Sequence, residues 1–201
     1  MPLYSINKDN NVYIIDIYAI PIDSNGNRIS ELSVSSLGQM RVESSTKISV
    51  AEYFDRSLGE YHSAYFGNES TVSVDNISAV WRNKPIMTYY LAYEQTNGTQ
   101  NTTWKRRADA SISLYLRYIP KYPVTFSSDG FESIVENVKY NEYPTLTEPN
   151  SWSRADYNLI GWLASDNQTV YTYEELLARP ITSNVTYTAQ WEYASVKISF
   201  D

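Results

Sequence analysis

The sequence contains no cysteine and a single histidine, His62, in 201 residues. The first absence excludes disulfides, thiolate metal sites and a cysteine nucleophile. The second leaves no partner for a Cys–His pair and no companions for a histidine metal site, so His62 reads as a surface or interface residue. Glycine is sparse, at 7 residues, and no apolar stretch approaches the length of a membrane span. Lys and Arg number 16 against 23 Asp and Glu, giving a net charge of −7 and a pI near 4.8. That balance argues against a dedicated nucleic-acid binder, which needs cations to neutralise phosphates. The one basic run, Lys105-Arg106-Arg107, follows a polar Asn/Thr tract and reads as a solvated loop. Motifs of hydrolases, phosphate-binding loops, zinc proteases and dinucleotide folds are also absent from the sequence. Glu132, Glu136, Glu174 and Glu175 have no sequence context that separates a general acid from a solvated face. The expectation is a non-enzyme, with no catalytic residue, no cofactor and no metal.

What the chain has instead is tyrosine, 19 residues of it. Tyr favours half-buried pleated surfaces and interfaces, because its ring is apolar and its hydroxyl needs a partner. The expected fold class is mainly β (α+β). Residues 11–22, "NVYIIDIYAIPI", read as a strand, "DSNGN" as a turn, and "RISELSV" as the returning strand of a hairpin. Asp23, Asn25 and Asn27 superficially suggest a calcium loop. The glycine is fourth instead of sixth, however, and position twelve is Val34 instead of Glu, so a hairpin turn is preferred.

"STKISVAEYFDRSLGEYHSAYFG" (residues 45–67) predicts a helix. Ser49 and Glu52 have capping-box spacing, Val50, Tyr53, Phe54, Leu58 and Tyr61 recur at helical intervals, and Gly67 offers a stop. Strands are expected again in "STVSV", "ISAVW" and "PIMTYYLAY", then a polar connection turning at Asn97-Gly98. In "ASISLYLRYI", Ala110, Ile112, Leu114 and Leu116 alternate with polar residues, which gives a strand with one inward face. "PKYP" at 120–123 is expected to break the ladder, because proline cannot donate to it, and to mark a domain boundary. The organisation expected is a β-rich docking or oligomerisation domain with one helix over 1–120, a second small domain over 123–191, and a C-terminal strand or tail over 192–201.

The second segment has a recognisable order. It runs through Val124, Phe126 and a turn Gly130; Val138 and Tyr140; Pro144 and Pro149; Tyr157, Gly161 and Trp162; and finally Ile181, Thr182, Tyr187, Ala189 and Trp191. This resembles the Listeria–Bacteroides repeat of internalin-type surface proteins over about a third of the chain. It departs at Asp156, where the family has glycine, at an insertion "NSWS", and at "YTYEELLARP", a short helix capped by Thr172 and Glu175. The resemblance implies a small β-grasp-like fold used for spacing, adhesion or protein contacts. It also implies a structural core of Val124, Phe126, Tyr157, Gly161, Trp162, Tyr187 and Trp191. Gly161 before Trp162 is expected to let a neighbouring element approach closely.

Six Asn-X-Ser/Thr sequons, at Asn68, Asn76, Asn97, Asn101, Asn167 and Asn184, fit the chance expectation for an Asn/Ser/Thr-rich chain. The opening "MPLYSINKDNNVYIIDIYAI" lacks the basic and apolar regions of a signal peptide. With Met1 as a native start, the expectation is synthesis in a bacterial cytoplasm and assembly into a bacteriophage virion as a decoration, head-fibre or tail component. The alternative is a bacterial surface adhesin or spacer. Expected partners are other virion proteins or further copies of the chain, with a host surface protein or glycan as ligand, and no nucleic acid or membrane insertion.

Overall fold

Apolar alternation sets the first strand, β1 (Val12–Pro21), which buries Ile15, Ile17 and Ala19 and leaves Ile14 and Asp16 exposed. The computed structural model describes residues 12–43, 47–67, 73–82, 88–97, 100–107, 113–145, 149 and 152–194. The chain is mainly β and divides into two compact units, Met1–Ile119 and Pro120–Asp201.

In the first unit, β1 pairs antiparallel with β2 (Ser35–Glu43). The expected hairpin is therefore present, but "RISELSV" forms only a bridge at Arg28, and the returning strand starts at Ser35. The reason is local hydrogen bonding. Asp23 Oδ1 accepts from the backbone amides of Asn25 and Asn27, at 2.9 and 2.8 Å, and these bonds, Asn27 first, lower its pKa. Arg28 then donates to the carbonyls of Pro21, Ile29 and Leu32, folding the connection back on itself.

The helix expected over 45–67 is not formed. β3 (Lys47–Ser49), two 3-10 turns (Val50–Tyr53 and Arg56–Leu58) and β4 (Gly59–Phe66) stand in its place. Ser49 makes no side-chain cap bond. Asp55, extended at φ −74°, accepts instead from Ser57 N, a short-range bond that competes with helix propagation. Beyond Gly59 the chain alternates, burying Ala64 and Phe66.

The next strands are β5 (Ser73–Arg82), β6 (Thr88–Asn97) and β7 (Gln100–Arg107), which with β3 form a sheet of order β3-β5-β6-β7. The expected polar connection is thus largely strand. Lys105, Arg106 and Arg107 lie on β7, paired with Ala92, Leu91 and Tyr90, and not in a solvated loop. Ala110, Ile112, Gly98 and residues 85–87 lie outside the described residues. In β8 (Ser113–Ser127), residues 113–118 pair parallel with β1, and β4 also pairs with β8. Residues from both sheets, including Ile17, Met40, Phe66, Ile77, Leu114 and Leu116, share one core. On the outer side, Tyr18, Tyr115 and Tyr65 stack with successive centroids 5.4 Å apart.

The β1 ladder and the first unit do end just before "PKYP". β8 itself, however, runs on through Pro120 and Pro123, and residues 121–126 pair antiparallel with β9 (Ile134–Lys139). The β1 ladder ends at Tyr118 and the β12 ladder (Val185–Tyr193) begins at Val124. Both prolines fall between two parallel ladders, where a missing N–H costs no bond in either.

The second unit has the strand order β9 (Ile134–Lys139), β8, β12, β10 (Tyr157–Ala164), β11 (Val170–Tyr171). Its two central strands, β8 and β12, are parallel, and the remaining pairs are antiparallel. One helix, α1 (Tyr173–Leu177), buries Leu176 in the same core. This is a β-grasp-like arrangement, and it holds the only α-helix among the described residues. The expected helix of the first unit is thereby corrected.

α1 has five residues, too few to persist without tertiary support and an end cap. Thr172 supplies the cap: its Oγ1 accepts from Glu175 N at 3.2 Å while Glu175 Oε2 accepts from Thr172 N at 2.8 Å. Thr172→Ala removes one arm of this box. It is expected to lower the stability of the second unit by about 0.5–2 kcal/mol, read as a shift in the denaturant midpoint at unchanged slope.

Candidate functional site

The second unit's core is built from one face of its sheet. Val124 and Phe126 of β8, Trp162 and Ala164 of β10, and Val185, Tyr187 and Ala189 of β12 are all buried. Phe126 sits between Trp162, edge-on at 4.8 Å, and Tyr187 at 5.7 Å. Burial pushes the Tyr187 phenol up, and Arg179, which donates to its hydroxyl at 3.4 Å, pulls it back. Arg179 also forms a bidentate pair with Asp166 and lies 5.4 Å from the Tyr171 ring centroid, joining the end of α1 to the β10–β11 turn.

The alternating row on β12 continues past the core to Trp191 and Tyr193. Their cross-strand partners are Leu159 and Tyr157, because a bulge between Leu159 and Gly161 shifts the register of β10. Cover diminishes along this row. Trp191 is half-buried, with its Nε1–H donating to Ser128 Oγ at 3.0 Å. It stacks on Phe131, which stacks on Trp152, which in turn meets Trp162 at 5.8 Å. Tyr157 is 40% exposed and Tyr193 65% exposed. Their rings meet edge-to-face at 5.5 Å, and the Arg154 guanidinium stands 5.0 Å from the Tyr157 centroid.

Of the seven residues expected in the core, Val124, Phe126, Gly161, Trp162 and Tyr187 are buried there. Trp191 is at its margin. Tyr157 is not in it, because neither Phe131 nor Trp152 reaches the last cross-strand pair among the described contacts. Phe131, Trp152, Arg154 and Tyr193 were not among the residues expected here. The extension of the β12 alternation to Tyr193 was the one signal available for them. Asp156 has φ 64°. Asp is among the few side-chain-bearing residues that tolerate this left-handed conformation.

Two of the four acidic residues singled out in the sequence have structural employment. Glu136 accepts from Thr145 N at 2.9 Å and holds the crossover, whose Pro144 and Pro149 are buried. Glu175 completes the helix cap, and Glu132 and Glu174 are exposed. His62 is exposed on β4, its Nδ1 2.9 Å from Ser63 Oγ. Among the described residues, the aromatic row is an arrangement suited to contact with another molecule: an amphipathic surface of Trp191, Tyr157 and Tyr193 with the Arg154 guanidinium beside it. Such rings present large contact area at small entropic cost. No family model, curated protein or solved structure matches the chain.

Proposed function

We propose that this chain is a non-catalytic structural or accessory component of a bacteriophage virion, a capsid decoration, head fibre or tail component, whose second unit recognises a host surface protein or glycan. The observation that carries the recognition part is the exposed end of the aromatic row, Tyr157 and Tyr193 with Arg154 over the ring. Aromatic and Arg side chains on a fixed sheet are the residue types that dominate protein and glycan contacts. The particle assignment rests on the Tyr-rich β composition and on the resemblance of residues 123–191 to an adhesion-type repeat. In this reading residues 1–120 hold the chain on the particle, as one of many copies.

The test uses purified particles. Mass spectrometry is expected to find the chain as a multi-copy component, and particles without it end the virion assignment. Particles carrying Tyr157→Ala with Tyr193→Ala are expected to keep the chain at the parental copy number and adsorb to host cells at least tenfold less well. Unchanged adsorption removes the aromatic row from recognition. The same row also fits a cell-surface adhesin, for which the native gene carries export or wall-anchoring sequences beside this segment.

A further inference from the structure

Three side chains converge on one face of the first unit's β3-β5-β6-β7 sheet. Asn76 of β5 stands opposite Ser49 of β3 on one side and opposite Glu94 of β6 on the other. Lys47 lies two residues before Ser49, so the strand period places it on the same face, diagonal to Asn76. Ile77, the next residue of β5, points the other way and is fully buried in the core. Lys47 Nζ is 2.7 Å from Glu94 Oε2, and Asn76 Nδ2 donates to the same oxygen at 3.1 Å. One carboxylate oxygen therefore holds an amine and a carboxamide within the span of two hydrogen bonds.

An exposed ion pair alone contributes little to stability. The carboxamide changes what the pair can do, because an amine, an amide carbon and a proton carrier are the parts needed for amide exchange. We propose that Lys47, Asn76 and Glu94 form an intramolecular cross-link, an amide from Lys47 Nζ to Asn76 Cγ, with Glu94 as the general acid–base. The neutral Lys47 amine attacks Asn76 Cγ and forms the new C–N bond. The Glu94 carboxylate takes a proton from Nζ and delivers it to Nδ2. The Cγ–Nδ2 bond then breaks and ammonia leaves. A primary amide and an amine become a secondary amide and ammonia, with no change of oxidation state and no further reactant. Pairing of β3, β5 and β6 makes the attack intramolecular, which replaces a bimolecular encounter by a held geometry. The product ties β3, a three-residue strand at the end of its sheet's order, covalently to β5.

The side chains of Lys47 and Glu94 are 58% and 31% exposed, so both can be reached by buffer. The test is intact-mass measurement and tryptic mapping of the full chain after incubation, folded, in alkaline buffer that supplies the free amine. The expected product is lighter by one ammonia, is no longer cut after Lys47, and yields a linked peptide pair containing Lys47 and Asn76. Asn-Gly sites at Asn25 and Asn97 also lose ammonia, as succinimides; hydroxylamine opens those and leaves the cross-link intact. Lys47→Arg keeps a cation beside Glu94 and removes the nucleophile, so it is expected to retain the melting curve and form no linked pair. Glu94→Gln is expected to slow linkage roughly a hundredfold or more, the usual scale of general acid–base assistance. No linked pair in the parent chain after prolonged incubation overturns the proposal, and so does equally fast linkage in Glu94→Gln.

Discussion

Trp162→Ala is expected to destabilise the second unit by about 3–5 kcal/mol, the range for removing a buried tryptophan side chain. Trp162 is 1% exposed and meets Phe126 edge-on and Trp152 at an angle. Its cross-strand neighbour on the core face is Ala189, and Ala164 follows it along β10 on the same face. Those small residues cannot swing into the space an indole leaves, so the cavity persists and the edge contact with Phe126 is lost. For a unit of this size such a loss lowers the melting temperature by more than about 10 °C. Calorimetry or circular dichroism reads it, and an unchanged melting curve would place the indole outside the core. Trp191→Ala is the internal control. That ring is half-buried and held by Phe131 and one bond to Ser128, so its removal is expected to cost clearly less. The two tryptophans have different structural duties: one fills the core, and the other marks where the core opens to the surface.

Two capping-box spacings in the sequence show what a local pattern can and cannot specify. Thr172–Glu175 forms its box, because Glu174, Glu175, Leu176 and Leu177 are good helix formers and Pro180 follows the end. Ser49–Glu52 does not, although apolar residues follow it at helical intervals. There Asp55 hydrogen-bonds to Ser57 N and turns the chain out of helix. Beyond Gly59 the alternation "YHSAYF", rich in aromatics, finds a strand partner in β8, and tertiary pairing overrides the helical spacing. Val124, Phe126, Trp162 and Tyr187 were expected in the core because the resemblance of residues 123–191 to the repeat implies it, and each keeps the period of two that marks one face of its strand. That period does not say where cover on the face stops. Phe131 and Trp152 arrive from loops, so the boundary between buried Trp162 and exposed Tyr157 depends on contacts distant in sequence. The Lys47–Asn76–Glu94 cluster was illegible for the same reason, since three separate strands must pair before its members meet.

Gly161→Ala is expected to cost about 1–3 kcal/mol from overpacking, with strain added because Gly161 has φ 154°. A Cβ at this position would stand 2.7 Å from Val170 Cγ1 and 2.8 Å from the Tyr171 carbonyl oxygen. The two contacts differ in how far they can yield. Val170 is an exposed side chain and can turn away. The Tyr171 carbonyl belongs to the backbone of β11, held beside β10 by the Trp162–Tyr171 pair, so relieving that contact means displacing the strand. β11 has two residues, and Thr172, the cap of α1, follows at once. A displaced β11 therefore disturbs the helix cap as well as the strand pair. The double variant Gly161→Ala with Val170→Ala separates the contributions. It removes the side-chain clash and leaves the carbonyl clash and the backbone strain, so it is expected to recover only part of the lost melting temperature. Full recovery would mean that the side chain alone sets the spacing. Partial recovery means that glycine is required because one strand's backbone lies where any side chain on the next would have to go.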